Sequence, residues 1–104
     1  MDVDMNFQVW LDMQNSGRKT IVIPYVRSPR DTRVNFRFDV IQSGAGGTSR
    51  ISQSGRVSTT AAKPEALARV ELGAQTDQQC RVEVALREGE KEIGAYKFDC
   101  SPGN

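Results

Sequence analysis

Histidine is absent from this chain of 104 residues, which removes the usual general base, the commonest metal ligand and the usual pH switch near neutrality. Cysteine occurs twice, tryptophan once, and aromatic residues make up only 7%. No grouping of Asp, Glu and Cys has ligand spacing, so neither a metal nor another cofactor is expected. Glu88, Glu90 and Glu92 read as a solvated turn. A Gly-x-Ser-x-Gly elbow is missing, and the glycine-rich stretch 44–47 lacks the lysine and following helix of a phosphate loop. Catalysis is therefore not expected. Nucleic-acid binding is not expected either, because few aromatics interleave with the arginines and net charge is only +1. No run approaches the roughly 20 apolar residues of a membrane span. The opening MDVDMNFQ has neither a basic nor an apolar signal region, so an exported protein would be seen here in mature form.

What is present is alternation. Apolar residues make up 38% and charged ones 26%, which suits one soluble domain over residues 1–104, with 1–5 as a flexible N-terminus. Phe7, Val9, Leu11 and Met13 alternate with polar positions up to a turn at Asn15–Gly17. Residues 19–27 form a second strand, and Pro24 inside it predicts an edge, a bulge or a bend. A turn at 28–31 leads to the clearest strand, 33–42, where Val34, Phe36, Phe38 and Val40 point one way. The stretch 43–47 reads as a flexible loop. Residues 48–60 have β-forming side chains, but Ile51 and Val57 are the only large apolar ones. They read as one or two polar rim strands broken near Gly55, or as a disordered loop. A connector at 61–65 precedes a short strand, 66–72, burying Ala68, Val70 and Leu72, and 73–79 reads as a turn. About seven strands in roughly 100 residues, without a convincing helix, predict an all-β, seven-stranded immunoglobulin-like β-sandwich, with a small barrel as the alternative.

The cysteines set the last register. With the turn centred on Glu90, Cys80 faces Cys100, Val82 faces Phe98, Val84 faces Tyr96 and Leu86 faces Gly94. A non-hydrogen-bonded pair at about 4.5 Å would accept a disulfide there. Closing a loop of about 20 residues stabilises by roughly 3 kcal/mol on the chain-entropy relation. A structural cross-link in an oxidising compartment is the better reading. A thiol–disulfide oxidoreductase using Cys80 and Cys100, or a cytosolic chain with two free thiols, are the alternatives.

Charge is unevenly placed. Residues 1–17 carry Asp2, Asp4 and Asp12 and no base. Residues 18–56 carry Arg18, Lys19, Arg27, Arg30, Arg33, Arg37, Arg50 and Arg56 against only Asp31 and Asp39. The bases are nearly all arginine, whose planar fork suits carboxylates. The segment is either a docking surface for an acidic partner or a set of solvated outward positions.

Three stretches carry a family resemblance: Thr20–Pro24 (TIVIP), the polar run from Gly47 to Val57, and Arg81–Val84 (RVEV). In order and spacing, from Phe7 to Pro102, the chain resembles the CsgC/CsgH family of curli amyloid-assembly inhibitors. The resemblance implies a seven-stranded immunoglobulin-like sandwich acting in the periplasm. Its partners would be curli amyloid subunits, which are acidic, aggregation-prone polypeptides, and it would act as a monomer without nucleic acid or membrane. Some members carry a Cys-x-Cys just before an arginine. Val34 and Phe36 stand there in this chain, ahead of Arg37, so a redox role attached to that motif does not carry over. The expected activity is chaperone-like inhibition of polymerisation through transient electrostatic contacts. Arg33, Arg37, Arg50 and Arg56 are the client-binding candidates, and pairing of a client with the polar edge at 48–58 is a second route. A structural or adhesive module remains a further reading.

Overall fold

The computed structural model describes residues 6–17, 19–73 and 79–101. The expected flexible segment 1–5 and most of the expected turn 73–79 lie outside these residues. Eight strands are present among them: β1 (Gln8–Ser16), β2 (Lys19–Arg27), β3 (Thr32–Gly44), β4 (Gly47–Thr59), β5 (Pro64–Ala66), β6 (Val70–Gly73), β7 (Gln79–Glu88) and β8 (Lys91–Asp99). They form two antiparallel sheets in a sandwich-like arrangement. One sheet has β2 at its centre, with β1 on one side and both β5 and β6 on the other; the second runs β4-β3-β7-β8.

The eighth strand traces to Pro24. The backbone carbonyl of Pro24 accepts from the Leu67 amide at 2.8 Å, so this residue turns its main chain toward the β5/β6 side. In an antiparallel strand a residue's N–H and C=O share a side, so the donor that proline lacks is missing from that same ladder. Pairing therefore stops: β5 holds Tyr25–Arg27, β6 holds Lys19–Val22, and 67–69 leave the ladder between them. The expected single strand 66–72 is thus two, and Leu67 is buried where the gap opens. β2 is not an edge, because the interruption falls on its neighbour.

Alternation builds the core from both sheets. Val22, Pro24 and Val26 point inward from β2, Val34, Phe38 and Val40 from β3, and Val82, Val84 and Leu86 from β7, all fully buried. On the outside of the first sheet the lone tryptophan, Trp10, stacks on Tyr25 with centroids 5.5 Å apart, and Arg27 lies over its ring.

The 43–47 stretch is no flexible loop. β3 and β4 pair from Thr32↔Thr59 to Gly44↔Gly47 without a shift, and only Ala45 and Gly46 turn the chain. Gly47 takes φ +116°, which only glycine adopts easily. β4 is likewise one strand, unbroken at Gly55. That glycine faces Phe36, and a β-carbon there would sit 3.1 Å from the Phe36 ring. Its small size seats the ring rather than ending the strand.

In the closing hairpin Val82 faces Phe98, Val84 faces Tyr96 and Leu86 faces Gly94, as the alternation requires. Beyond Leu86 a bulge shifts the register by one, and Ile93 turns fully inward. Cys80 and Cys100 form a disulfide with a Cα–Cα distance of 4.8 Å. The pair also carries a main-chain bond from the Cys100 amide to the Cys80 carbonyl at 2.9 Å, so it occupies a hydrogen-bonded position, not the non-hydrogen-bonded one expected.

Candidate functional site

All four candidate arginines lie on one surface, the outer face of the β4-β3-β7-β8 sheet. β3 presents Arg33, Asn35, Arg37, Asp39 and Ile41 there, because its other positions fill the core. The β3–β4 register sets Arg56 opposite Asn35 and Arg50 opposite Ile41. Arg56 consequently lies diagonally between Arg33 and Arg37, with its Nε donating to the Asn35 side chain at 3.0 Å. Arg50 stands apart, toward the Gly44–Gly47 end.

Three further cations join this face. β3 pairs with β7 as well as β4, which brings Arg87 beside Asn35 and Arg81 beside Ile41, and β8 adds Lys97 opposite Glu83. The sequence shows Arg81, Arg87 and Lys97 on the outward side of the hairpin. It does not show that the hairpin docks on β3, since that pairing joins segments some forty residues apart. The four acids of the face are Asp39, Glu83, Glu92 and Asp99, so cations exceed acids by three.

The acids are partly committed locally. Asp39 accepts from the Ser52 hydroxyl across the β3–β4 pair and lies 3.5 Å from Arg37. The Ser52 bond first, then Arg37 and Arg50, hold its carboxyl below the usual aspartate range despite some desolvation. Glu83 pairs with Arg81 at 3.0 Å. Asp99 is likewise lowered, by the Ser101 amide and hydroxyl. Among the described residues Arg33 makes no ion pair or side-chain hydrogen bond, and Arg50 makes no ion pair. Arg33 and Arg50 therefore keep their donors for an incoming carboxylate, while Arg37 and Arg56 are oriented by neighbours.

Other sequence-marked residues go elsewhere. Glu88, read as part of a solvated turn, instead ties the β7–β8 turn to the β2–β3 turn. It accepts from the Thr32 hydroxyl and pairs with Arg30. These contacts hold its carboxyl below the usual glutamate range, the Thr32 bond contributing most. Among the described residues no cluster of His, Cys, Asp or Glu could hold a metal. No helix of the described residues is long and apolar enough to cross a membrane. Cys80 and Cys100 are both buried, on the core side of the sheet away from the arginines. Val34 is fully buried and Phe36 lies half-buried over Gly55, so the positions matching the Cys-x-Cys serve packing.

The family model for thin aggregative fimbriae synthesis proteins (Tafi-CsgC) matches residues 3–96. Among solved structures the chain is similar to the solution structure of R. palustris CsgH, at 22% identity and a TM-score of 0.76, over 89% of this chain and 91% of that one. It is similar also to the E. coli curli protein CsgC, at 20% identity and a TM-score of 0.75, over 92% of this chain and 99% of that one. No curated protein matches it significantly.

Proposed function

Because this chain belongs to the thin aggregative fimbriae synthesis family, with a role in curli assembly, we propose that it is a chaperone-like inhibitor that keeps curli subunits from polymerising prematurely. The observation that carries the reading is the gathering of Arg33, Arg37, Arg50 and Arg56 with Arg81, Arg87 and Lys97 on one exposed sheet face. A sheet face of excess arginine attracts acidic, extended polypeptide quickly and releases it quickly. Fibre growth needs chains to stack strand on strand, so transient capture of monomers or small nuclei suppresses it without folding the client. The protein acts as a monomer, without cofactor or catalysis, in the periplasm; the disulfide supports an oxidising compartment.

The immunoglobulin-like classification is supported by strand order. β1, β2 and the interrupted β5/β6 take the places of strands A, B and E, and β3, β7 and β8 those of C, F and G, with β4 as an added edge. The oxidoreductase reading is disfavoured because both sulfurs lie in the core, whereas exchange needs an accessible thiolate.

The test is a titration into polymerising curli subunit, read as lag time against molar ratio by thioflavin fluorescence. Wild type is expected to lengthen the lag well below equimolar ratio, less so as salt rises. Arg33→Glu/Arg37→Glu turns the face's excess of cations into an excess of acids and is expected to lose most of the effect while keeping its melting temperature. A lag unmoved by wild type refutes the inhibitor reading. A lag indifferent to salt and to the double variant refutes the electrostatic one.

A further inference from the structure

Among the described residues β4 is the longest free edge, and its exposed main chain is aligned with the arginine face. The Cys100 amide bonds the Cys80 carbonyl, so even-numbered residues of β7 turn their main chain toward β8 and odd-numbered ones toward β3. Carried through the unshifted β3–β7 and β3–β4 registers, this turns Ile51, Gln53, Gly55 and Val57 inward to β3. The N–H and C=O groups of Arg50, Ser52, Ser54 and Arg56 then point away from the sheet, because among the described residues β4 pairs with β3 alone. The residues whose backbone is open are thus the same residues whose side chains stand on the basic face.

Natural sheets usually blunt such an edge with proline, charged side chains, a bulge or a short strand. β4 has no proline and no bulge: it runs 13 residues in unbroken register, and its only charges are Arg50 and Arg56. β1 and β8 are the other long edges; they are shorter, and β8 carries the bulge. The two arginines also decide the occupant. A second copy pairing antiparallel over the full length of β4 would centre on Gln53 and set Arg50 against the partner's Arg56 twice over, like charge on like charge. An acidic strand would place carboxylates at those positions.

We propose that the free edge of β4 takes one extended segment of an acidic polypeptide as a fifth strand. The open groups of residues 50–56 supply main-chain hydrogen bonds, and Arg50 and Arg56 hold carboxylates six positions apart on the client strand. Side chains between the two arginines are Ser52 and Ser54, small and polar, so the edge admits Ser- and Gln-rich strands without demanding a particular sequence. The inference rests on the inhibitor reading and specifies which surface of the client's partner does the work: a captured strand end is one that cannot template the next subunit.

Amide exchange on the wild-type protein tests it, with a capped peptide of Ser and Gln carrying two Asp six positions apart as the probe. Peptide binding is expected to slow exchange at Arg50, Ser52, Ser54 and Arg56 while leaving Ile51 and Gln53, already bonded to β3, unchanged. Replacing both Asp by Asn is expected to weaken binding about tenfold. Ser54→Pro removes one outward donor where an edge tolerates proline, and is expected to lose the protection and the peptide; Ser54→Ala is expected to keep both. No binding, binding without the alternating protection, or protection of the same amides in a peptide-free dimer overturns the proposal. In the polymerisation assay, failure of wild type overturns the inhibitor reading. A wild type that inhibits and a folded Ser54→Pro that inhibits equally overturn the edge alone.

Discussion

Removing the disulfide by Cys80→Ala/Cys100→Ala separates fold from function. The bridged residues are 20 apart in sequence. A loop of that size loses about 11 cal/mol/K of unfolded-state entropy on the chain-entropy relation, or roughly 3 kcal/mol at 25 °C. Unfolding entropy near 60 °C is about 2.1 cal/mol/K per residue, or some 0.2 kcal/mol/K for a chain of this length, so the melting temperature is expected to fall by roughly 15 °C. The hairpin should still form, because Val82↔Phe98 and Val84↔Tyr96 remain paired and the Cys100 amide keeps its carbonyl partner. Calorimetry of the oxidised wild type, the reduced wild type and the variant measures the difference. Polymerisation assays below both melting temperatures are expected to show undiminished inhibition. A fall of less than about 5 °C would refute the stabilising role. A stable variant without inhibition would instead revive thiol chemistry.

Three other outcomes follow from named contacts. Gly55→Val drives a branched side chain into the Phe36 ring and is expected to cost about 1–3 kcal/mol in urea unfolding. Phe36→Leu in the same chain should recover part of that loss, and strict additivity would refute the contact. The Glu88 carboxyl, lowered in the fold by Thr32 and Arg30, contributes stability that is fully present above its unfolded value near 4.5 and is lost as pH falls through the lower folded value. Glu88→Gln should therefore melt earlier than wild type at neutral pH and converge with it in acid; a constant gap would refute the linkage. Arg50→Ala/Arg56→Ala should leave the melting temperature within a few degrees of wild type, since neither makes an ion pair among the described residues, yet shorten the lag conferred on curli subunit.

The parts of this architecture legible in the sequence are those governed by near neighbours. The register of β7 against β8 follows from a hairpin whose apolar faces match in only one alignment, so Val82, Val84 and Leu86 find their partners unaided. β3 is equally legible because Val34, Phe36, Phe38 and Val40 repeat with period two. The sequence misleads at Gly55 and the stretch 43–47 and leaves Pro24 open, each time because a residue's role depends on what lies across from it. Pro24 suggests an edge, a bulge or a bend; it lies on an interior strand, and its missing donor is met by a gap and a one-residue register shift in the neighbouring ladder. Gly55 suggests a break, but it is the seat of a ring from β3. For the candidate face, Arg33, Arg37, Arg50 and Arg56 are visible as a charge bias. Arg81, Arg87 and Lys97 join them only through the β3–β7 pairing, a long-range contact that local pattern does not encode.

The stacked pair of Trp10 and Tyr25 gives the protein an internal optical label. Trp10 is its single tryptophan, stacked on Tyr25 with the Arg27 guanidinium over its ring on the outer side of the β1-β2 sheet, and the core lies between it and the arginine face. Its emission therefore reports on the integrity of the sandwich while remaining indifferent to whatever docks on the opposite sheet. A denaturant ramp run with client present therefore reads the stability of the sandwich alone, without an added fluorophore and without interference from the docked client.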